Sequence, residues 1–240
     1  MSDVTNIEII PILEDNYSYF LTNESGEIAV IDPGAAKPII KALNGRMITT
    51  ILNTHHHDDH IAANHILKSE YQCNIIGPEA DRERIADMDE GVKDGDIITF
   101  GQMEIEIIET PGHTINHVCF YLPSLNVLFS GDTLFSMGCG RLFEGTSEQM
   151  YQSFRKLAAL PDNTMVYCGH EYTQSNGEFC LSIEPENGSL KQRMAQVYGL
   201  RAKDRPTIPV SLKLEKQTNV FMQAQSAERF AELRALKDKF

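Results

Sequence analysis

The sequence predicts an α/β sandwich over residues 1–172 followed by a small helical domain over residues 173–240. Three observations predict it. Short β-branched and apolar runs, separated by turn residues, recur up to about residue 170 and then thin out. Helical spacing of apolar residues takes over from residue 171. The length, 240 residues, allows one large domain with a small extension. Strands first and helices after is the pattern of layered sheets with an appended helical unit.

Residues 7–13, 17–22 and 27–31 read as strands, with 23–26 as a hairpin turn and Asp32-Pro33-Gly34 as a second turn. Residues 35–43 carry helical spacing, and 47–52 form a buried strand. The pattern from 59 to 70 is helical, with Ile61, Ala62, His65 and Ile66 on one face. A short strand at 73–76 precedes Gly77-Pro78, and 79–95 is charged and irregular. Residues 96–100 and 103–110 pair across Gly101-Gln102; the second alternates Met103, Ile105, Ile107 against Glu104 and Glu106. Strands follow at 118–122, 126–129 and 164–168. Ser147 is positioned to cap a helix running to about residue 160. Helices are expected at 171–182, 189–203 and 226–238, with extended pieces at 210–214 and 220–222.

Composition narrows the functional classes. Lys and Arg total 21 against 34 Asp and Glu, a net charge of −13. Residues 191–240 hold 11 Lys and Arg against 5 Asp and Glu, a balance of +6, so the rest is at −19. An acidic majority argues against a nucleic-acid backbone as main partner, while a basic end suits a small anion. No apolar run approaches the ~20 residues of a membrane helix. Met1-Ser2-Asp3-Val4 has no leader pattern, so no secretory signal is expected. The five cysteines are odd in number and contain no Cys-x-x-Cys. That argues against a disulfide framework or a thiolate zinc site, and a reducing cytoplasm is the simplest compartment.

The chemistry gathers at the ends of four apolar strands. Residues 47–52 lead to His55-His56-His57-Asp58-Asp59-His60, 103–109 to Thr110-Pro111-Gly112-His113, 126–129 to Ser130-Gly131-Asp132, and 164–168 to Gly169-His170. Imidazole and carboxylate together are the ligand set for zinc, iron or manganese. His55 and His57 are two apart, so on extended backbone they point the same way and His56 points opposite. Asp59 and His60 open the next helix. His55, His57, Asp59, His60, His113, Asp132 and His170 make seven ligands, too many for one tetrahedral ion and right for two sharing a carboxylate. His56, His65 and His117 read as structural.

Thr54-His-x-His-x-Asp-His60 with His113, Asp132 and His170 resembles the metallo-β-lactamase superfamily. Three further stretches resemble the hydroxyacylglutathione hydrolases, or glyoxalase II: Gly131-Asp132-Thr133-Leu134-Phe135 with 138–146, Gly169-His170-Glu171-Tyr172-Thr173, and Arg234-Ala235-Leu236-Lys237-Asp238. The resemblance implies an αββα sandwich with a binuclear centre and a C-terminal helical domain that grips glutathione. By position, His55, His57 and His113 would hold one metal, Asp59, His60 and His170 the other, with Asp132 bridging. Arg141, Phe143, Tyr172, Asn176, Arg234 and Lys237 would contact the glutathione part; Phe143 stands where some members have Tyr. Asn116 and Met137 stand where the family often has Gly, and the C-terminal domain is short for the family.

The implied activity is hydrolysis of S-(2-hydroxyacyl)glutathione, such as S-D-lactoylglutathione, by a hydroxide bridging two divalent ions, zinc first and iron or manganese as alternatives. It is the second step of methylglyoxal detoxification. Asp59 would orient the hydroxide. Other readings are a persulfide dioxygenase with one iron, a lactone or β-lactam hydrolase, and a zinc-stabilised binding module. A monomer is expected.

Overall fold

The computed structural model describes residues 6–240; Met1–Val4, read above for a leader pattern, lies outside them. The chain forms two compact units. One contains the residues up to Glu109 together with Val118–Leu125, and the other Thr110–His117 with Asn126–Phe240.

The first unit is built on a sheet in strict chain order: β1 (Asn6–Ile12), β2 (Asn16–Thr22), β3 (Ile28–Ile31), β4 (Ile48–Leu52), β5 (Asn74–Pro78) and β6 (Glu90–Val92). β1 to β3 are antiparallel, and β3 to β6 run parallel. The parallel half requires crossovers, and the first is α1 (Ala36–Leu43). Its Ile39 and Leu43, one turn apart, are both fully buried with Phe20, Val30, Ile48 and Ile51. A second, antiparallel ladder contains β7 (Ile97–Phe100), β8 (Met103–Glu109) and β9 (Val118–Leu122). In β8 the predicted alternation holds: Met103, Ile105 and Ile107 are buried and Glu104 is exposed.

The crossover after β4 differs from the single helix expected over 59–70. It is broken into α2 (Asp58–Ile61) and α3 (Asn64–Tyr71). Two bonds of a continuous helix are diverted: the Asn53 amide donates to the His60 carbonyl, and the Ala63 N–H to Pro33. Residues 79–95 are expected to be irregular, yet three of them form β6 by pairing with β5.

In the second unit β10 (Val127–Gly131) pairs parallel with β13 (Met165–Cys168), which pairs antiparallel with β14 (Val210–Ser211). β11 (Leu134–Phe135) and β12 (Gly138–Cys139) make a small hairpin whose Met137 has φ +56°. That backbone angle accounts for the glycine the family often has there. The Met137 side chain is fully buried beside Gly177, so it packs the interior. Asn116 is not among the described residues with left-handed backbone.

Helices dominate the rest. α4 (Ser147–Ala158) is capped by Thr146, not Ser147, through a reciprocal box with Gln149. α5 (Thr173–Ile183) and α6 (Gly188–Arg201) follow. The extended pieces expected at 210–214 and 220–222 are mostly absent: Ser211 caps α7 (Leu212–Thr218), and Asn219 closes a turn onto the Phe221 N–H. α8 (Ala227–Lys237) packs on α4, with Phe230 against Phe154 and Phe221.

Glu215 of α7 is fully buried and accepts hydrogen bonds from the Met137 N–H at 2.8 Å and the Asn219 amide at 2.9 Å. Burial pushes its carboxyl up to about 7, against those hydrogen bonds and the Arg193 charge. The folded value lies above the ordinary 4.5, so the folded state holds the extra proton. Glu215 therefore adds stability that is full below about 4.5 and lost as pH rises through about 7. Glu215→Gln, which cannot ionise, will gain stability relative to wild type between pH 5 and 8. The gain is on the order of 3 kcal/mol. Parallel denaturation curves at the two pH values check this.

Candidate metal centre

In the first unit the β3–β4 register pairs Ile31 with Leu52, which puts Asp32 beside Thr54. Asp32 is buried with φ +50° and accepts from the Thr54 N–H at 2.8 Å, the Thr54 hydroxyl at 2.7 Å and His60 Nδ1 at 3.0 Å. These bonds fix the tautomers. A carboxylate only accepts, so the single Thr54 proton goes to Asp32. Thr54 Oγ1 must then accept from His55 Nδ1, 2.9 Å away. His55 and His60 both keep their protons on Nδ1 and present the Nε2 lone pair. Their ring centroids are 4.1 Å apart, and His57 lies 4.7 Å from His55.

Asp32, His55 and His60 each offer a ligand atom within 4.8 Å of the others. The Asp32 oxygens, however, already hold Thr54 and His60, so its place is behind the ligands. Asp59 Oδ2 accepts from the Asn16 amide at 2.8 Å and lies 3.5 Å from His60 Nε2. Gly34 lets this loop approach: a Cβ there would sit 1.8 Å from the Asp59 carbonyl oxygen.

In the second unit Asp132 is the centre. Its Oδ2 lies 3.4 Å from His113 Nε2 and 3.3 Å from His170 Nε2. His113 Nδ1 donates to the Arg141 carbonyl at 2.8 Å, so His113 too presents Nε2. His117 has the opposite arrangement. Its Nε2 accepts the Asp132 N–H at 3.1 Å, and Nδ1 meets Thr110 and Thr133. Both nitrogens serve the scaffold, which supports the structural reading of His117. Gly140 is needed beside this loop, since a Cβ would come 1.9 Å from the Asp132 carbonyl oxygen.

The donor set fits divalent metal in both halves. Neutral imidazoles with Nδ1–H tied back and Nε2 presented are the state that binds metal. The cysteines do not compete. No disulfide forms among the described residues, and burial pushes the Cys139 thiol to about 11 and those of Cys168 and Cys180 to about 12.

Two exposed aromatics stand beside these histidines. Phe143, 63% exposed, meets the His113 ring edge-on at 5.2 Å. Tyr172, 37% exposed, stacks on His170 at 4.6 Å with 8° between planes. Asn176 is buried and donates to the Ser136 carbonyl. Arg141 is exposed, its Nε 3.9 Å from Asp238.

Arg234 and Lys237, read as one pair on a helix face, have different surroundings. Arg234 is 6% exposed, and its guanidinium is engaged throughout, with the Cys139 carbonyl at 2.7 Å and Asp238 at 2.9 Å. Lys237 donates to the Ser175 carbonyl and hydroxyl, both at 3.0 Å, between the Phe179 and Phe240 rings. Burial first, and then the Arg234 charge, holds its pKa below the ordinary lysine value.

Sequence reasoning missed Asp32, Thr54, Asn16 and Asp238. The available signal was the Asp-Pro-Gly turn: an aspartate at the end of a parallel strand, next to the histidine-rich strand end.

The sequence matches the family model of the metallo-beta-lactamase superfamily over residues 12–170. It matches that of the hydroxyacylglutathione hydrolase C-terminus over 171–240. A hydroxyacylglutathione hydrolase from Pelagibacter ubique is 45% identical, the match covering 98% of this chain and 99% of that one. One from Rhodospirillum rubrum is 48% identical, covering 93% and 88%. Among solved structures, ETHE1 from Myxococcus xanthus superposes with a TM-score of 0.74 at 25% identity, covering 96% of this chain and 90% of that one.

Proposed function

The chain belongs to the metallo-β-lactamase superfamily and, within it, to the hydroxyacylglutathione hydrolases (glyoxalase II), and from that premise we propose that it cleaves S-(2-hydroxyacyl)glutathione thioesters, S-D-lactoylglutathione first among them. It is a metal-dependent hydrolase of the metallo-β-lactamase fold with a helical C-terminal part. In the proposed reading residues 1–172 carry the reaction and 173–240 hold the glutathione moiety. The reaction would be the second step of methylglyoxal detoxification, in the cytoplasm. Among the described residues no helix is long and apolar enough to cross a membrane.

The observation that carries the reading is Asp132 Oδ2 placed equally close to His113 Nε2 and His170 Nε2. One carboxylate between two imidazoles suits a ligand shared by two ions. His55, His57 and His113 would hold one ion, and Asp59, His60 and His170 the other, with zinc the expected metal. When bound, two such ions acidify water toward neutral pH and polarise a carbonyl oxygen.

The chain's own groups do the rest. Asp59, tethered through Oδ2 by Asn16, orients the attacking water. The departing sulfur is a thiolate whose conjugate acid has a pKa of about 8.5, so no general acid is needed. Phe143 and Tyr172 flank the acyl region. Lys237 and Arg141 offer cationic hydrogen-bond donors to a glutathione carboxylate, with Arg234 and Asn176 holding the surface behind them.

The test compares two thioesters of D-lactate, one on glutathione and one on a small thiol without carboxylates. The glutathione ester should be hydrolysed with kcat/KM higher by about 100-fold, roughly 2.7 kcal/mol of extra transition-state binding. No oxygen should be consumed. Oxygen uptake with glutathione persulfide and no thioester cleavage would replace this reading with the dioxygenase.

A further inference from the structure

His56 lies between two proposed ligands yet carries none of their chemistry. It closes a three-residue ring. Its Nδ1 is 3.2 Å from Asp81 Oδ2, and Arg84 Nη1 is 3.2 Å from its Nε2. Arg84 returns to Asp81 with Nε donating to Oδ1 at 2.8 Å, and Nη2 contacts the same oxygen. A guanidinium only donates, so His56 Nε2 accepts and Nδ1–H donates to Asp81. Both ring nitrogens are committed, which holds the ring in place.

The far end of the ring is rigid. Asp81 is fully buried and ends a 3-10 turn, Glu79–Asp81. Its carbonyl accepts the N–H groups of Arg84 and Ile85, both at 2.8 Å, and Ile85 is fully buried in the core cluster with Ile75 and Leu67. The near end meets the ligands directly: the His56 and His57 rings stand edge-on at 5.0 Å, and the His57 and His55 rings at 4.7 Å. A fixed His56 ring therefore limits where the His57 ring, and through it the His55 ring, can sit.

We propose that His56, Asp81 and Arg84 form a clamp that sets the His55–His57 segment in its metal-binding conformation before metal arrives, with Asp81 as a positioning residue for metal affinity. The proposal rests on the metal reading above. A segment already ordered loses less conformational entropy when it ligates an ion. Partners behind the ligands typically contribute 10–100-fold in metal affinity.

The test measures Zn²⁺ affinity of metal-free protein by competition with a chromophoric chelator, alongside metal-free thermal unfolding to show that each variant is folded. Asp81→Asn and His56→Leu should each weaken Zn²⁺ binding by about 10–100-fold. His56→Leu leaves the Asp81–Arg84 pair intact, which covers the case of Asp81→Asn failing to fold. His56→Asn, which keeps a donor toward Asp81, should recover affinity to within about threefold of wild type. Folded variants binding Zn²⁺ as wild type does would overturn the clamp. Wild type that takes up no Zn²⁺ would overturn it together with the metal reading beneath it.

Discussion

Asp132→Asn is expected to lower kcat/KM for S-D-lactoylglutathione by at least about 1,000-fold, which corresponds to about 4 kcal/mol of transition-state stabilisation. The substitution keeps the size and one oxygen but removes the charge. Oδ2, 3.3–3.4 Å from the Nε2 atoms of His113 and His170, is the atom proposed to serve both ions. An amide cannot bridge two cations with comparable strength, so metal content should fall below two per chain. The Asp132 N–H still donates to His117 Nε2, so the loop stays in place and thermal stability should change little. Elemental analysis, unfolding curves and steady-state rates on one preparation separate these effects. Two metals per chain with wild-type turnover would remove Asp132 from its proposed role.

Lys237→Ala is expected to raise KM for the same substrate by about 10–100-fold with kcat changed by less than about threefold. A charge-assisted hydrogen bond to a carboxylate contributes about 1.5–3 kcal/mol, and one made equally in ground and transition states appears in KM alone. The half-buried ammonium has aromatic rings on two sides and Ser175 as its hydrogen-bond partner. Arg234→Ala should behave differently. Its guanidinium supports the Cys139 carbonyl and Asp238 from a buried position, so its loss should cost about 2–4 kcal/mol of folding stability. Kinetics and denaturation on both variants distinguish a substrate grip from a brace. Equal KM values for wild type and Lys237→Ala would take the grip away from Lys237.

The sequence was readable where the signal is local. Strand-end clusters announce themselves because β-runs, glycines and histidines are neighbours in the chain. The period-two rule for 55–57 does not hold: Thr54 and His55 lie in a bend and the His56 ring meets that of His57 at 5.0 Å, so it is the contact with Asp81 that sets His56 apart. What could not be read depends on partners far away. Asp32 reads as a turn residue; its function arises only when β3 and β4 align in parallel and bring it to Thr54 and His60. Asp81 meets His56 across 25 residues, through a 3-10 turn in a segment that looks irregular. The break between α2 and α3 comes from bonds to Asn53 and Pro33. The same holds for 210–214, where apolar residues suggest extended chain but the helix Leu212–Thr218 begins. Ser211 caps a helix there, and a buried Glu215 anchors it. Arg234 and Lys237 share a helix face by spacing, and only packing shows that one is buried and the other presented.

Hydrolysis of a glutathione thioester with two metal ions is tested most directly by titrating metal-free protein with Zn²⁺ while following S-D-lactoylglutathione cleavage. Activity should rise to a plateau at two equivalents per chain. Protein carrying two metals per chain that leaves the thioester intact would rule out the proposed activity.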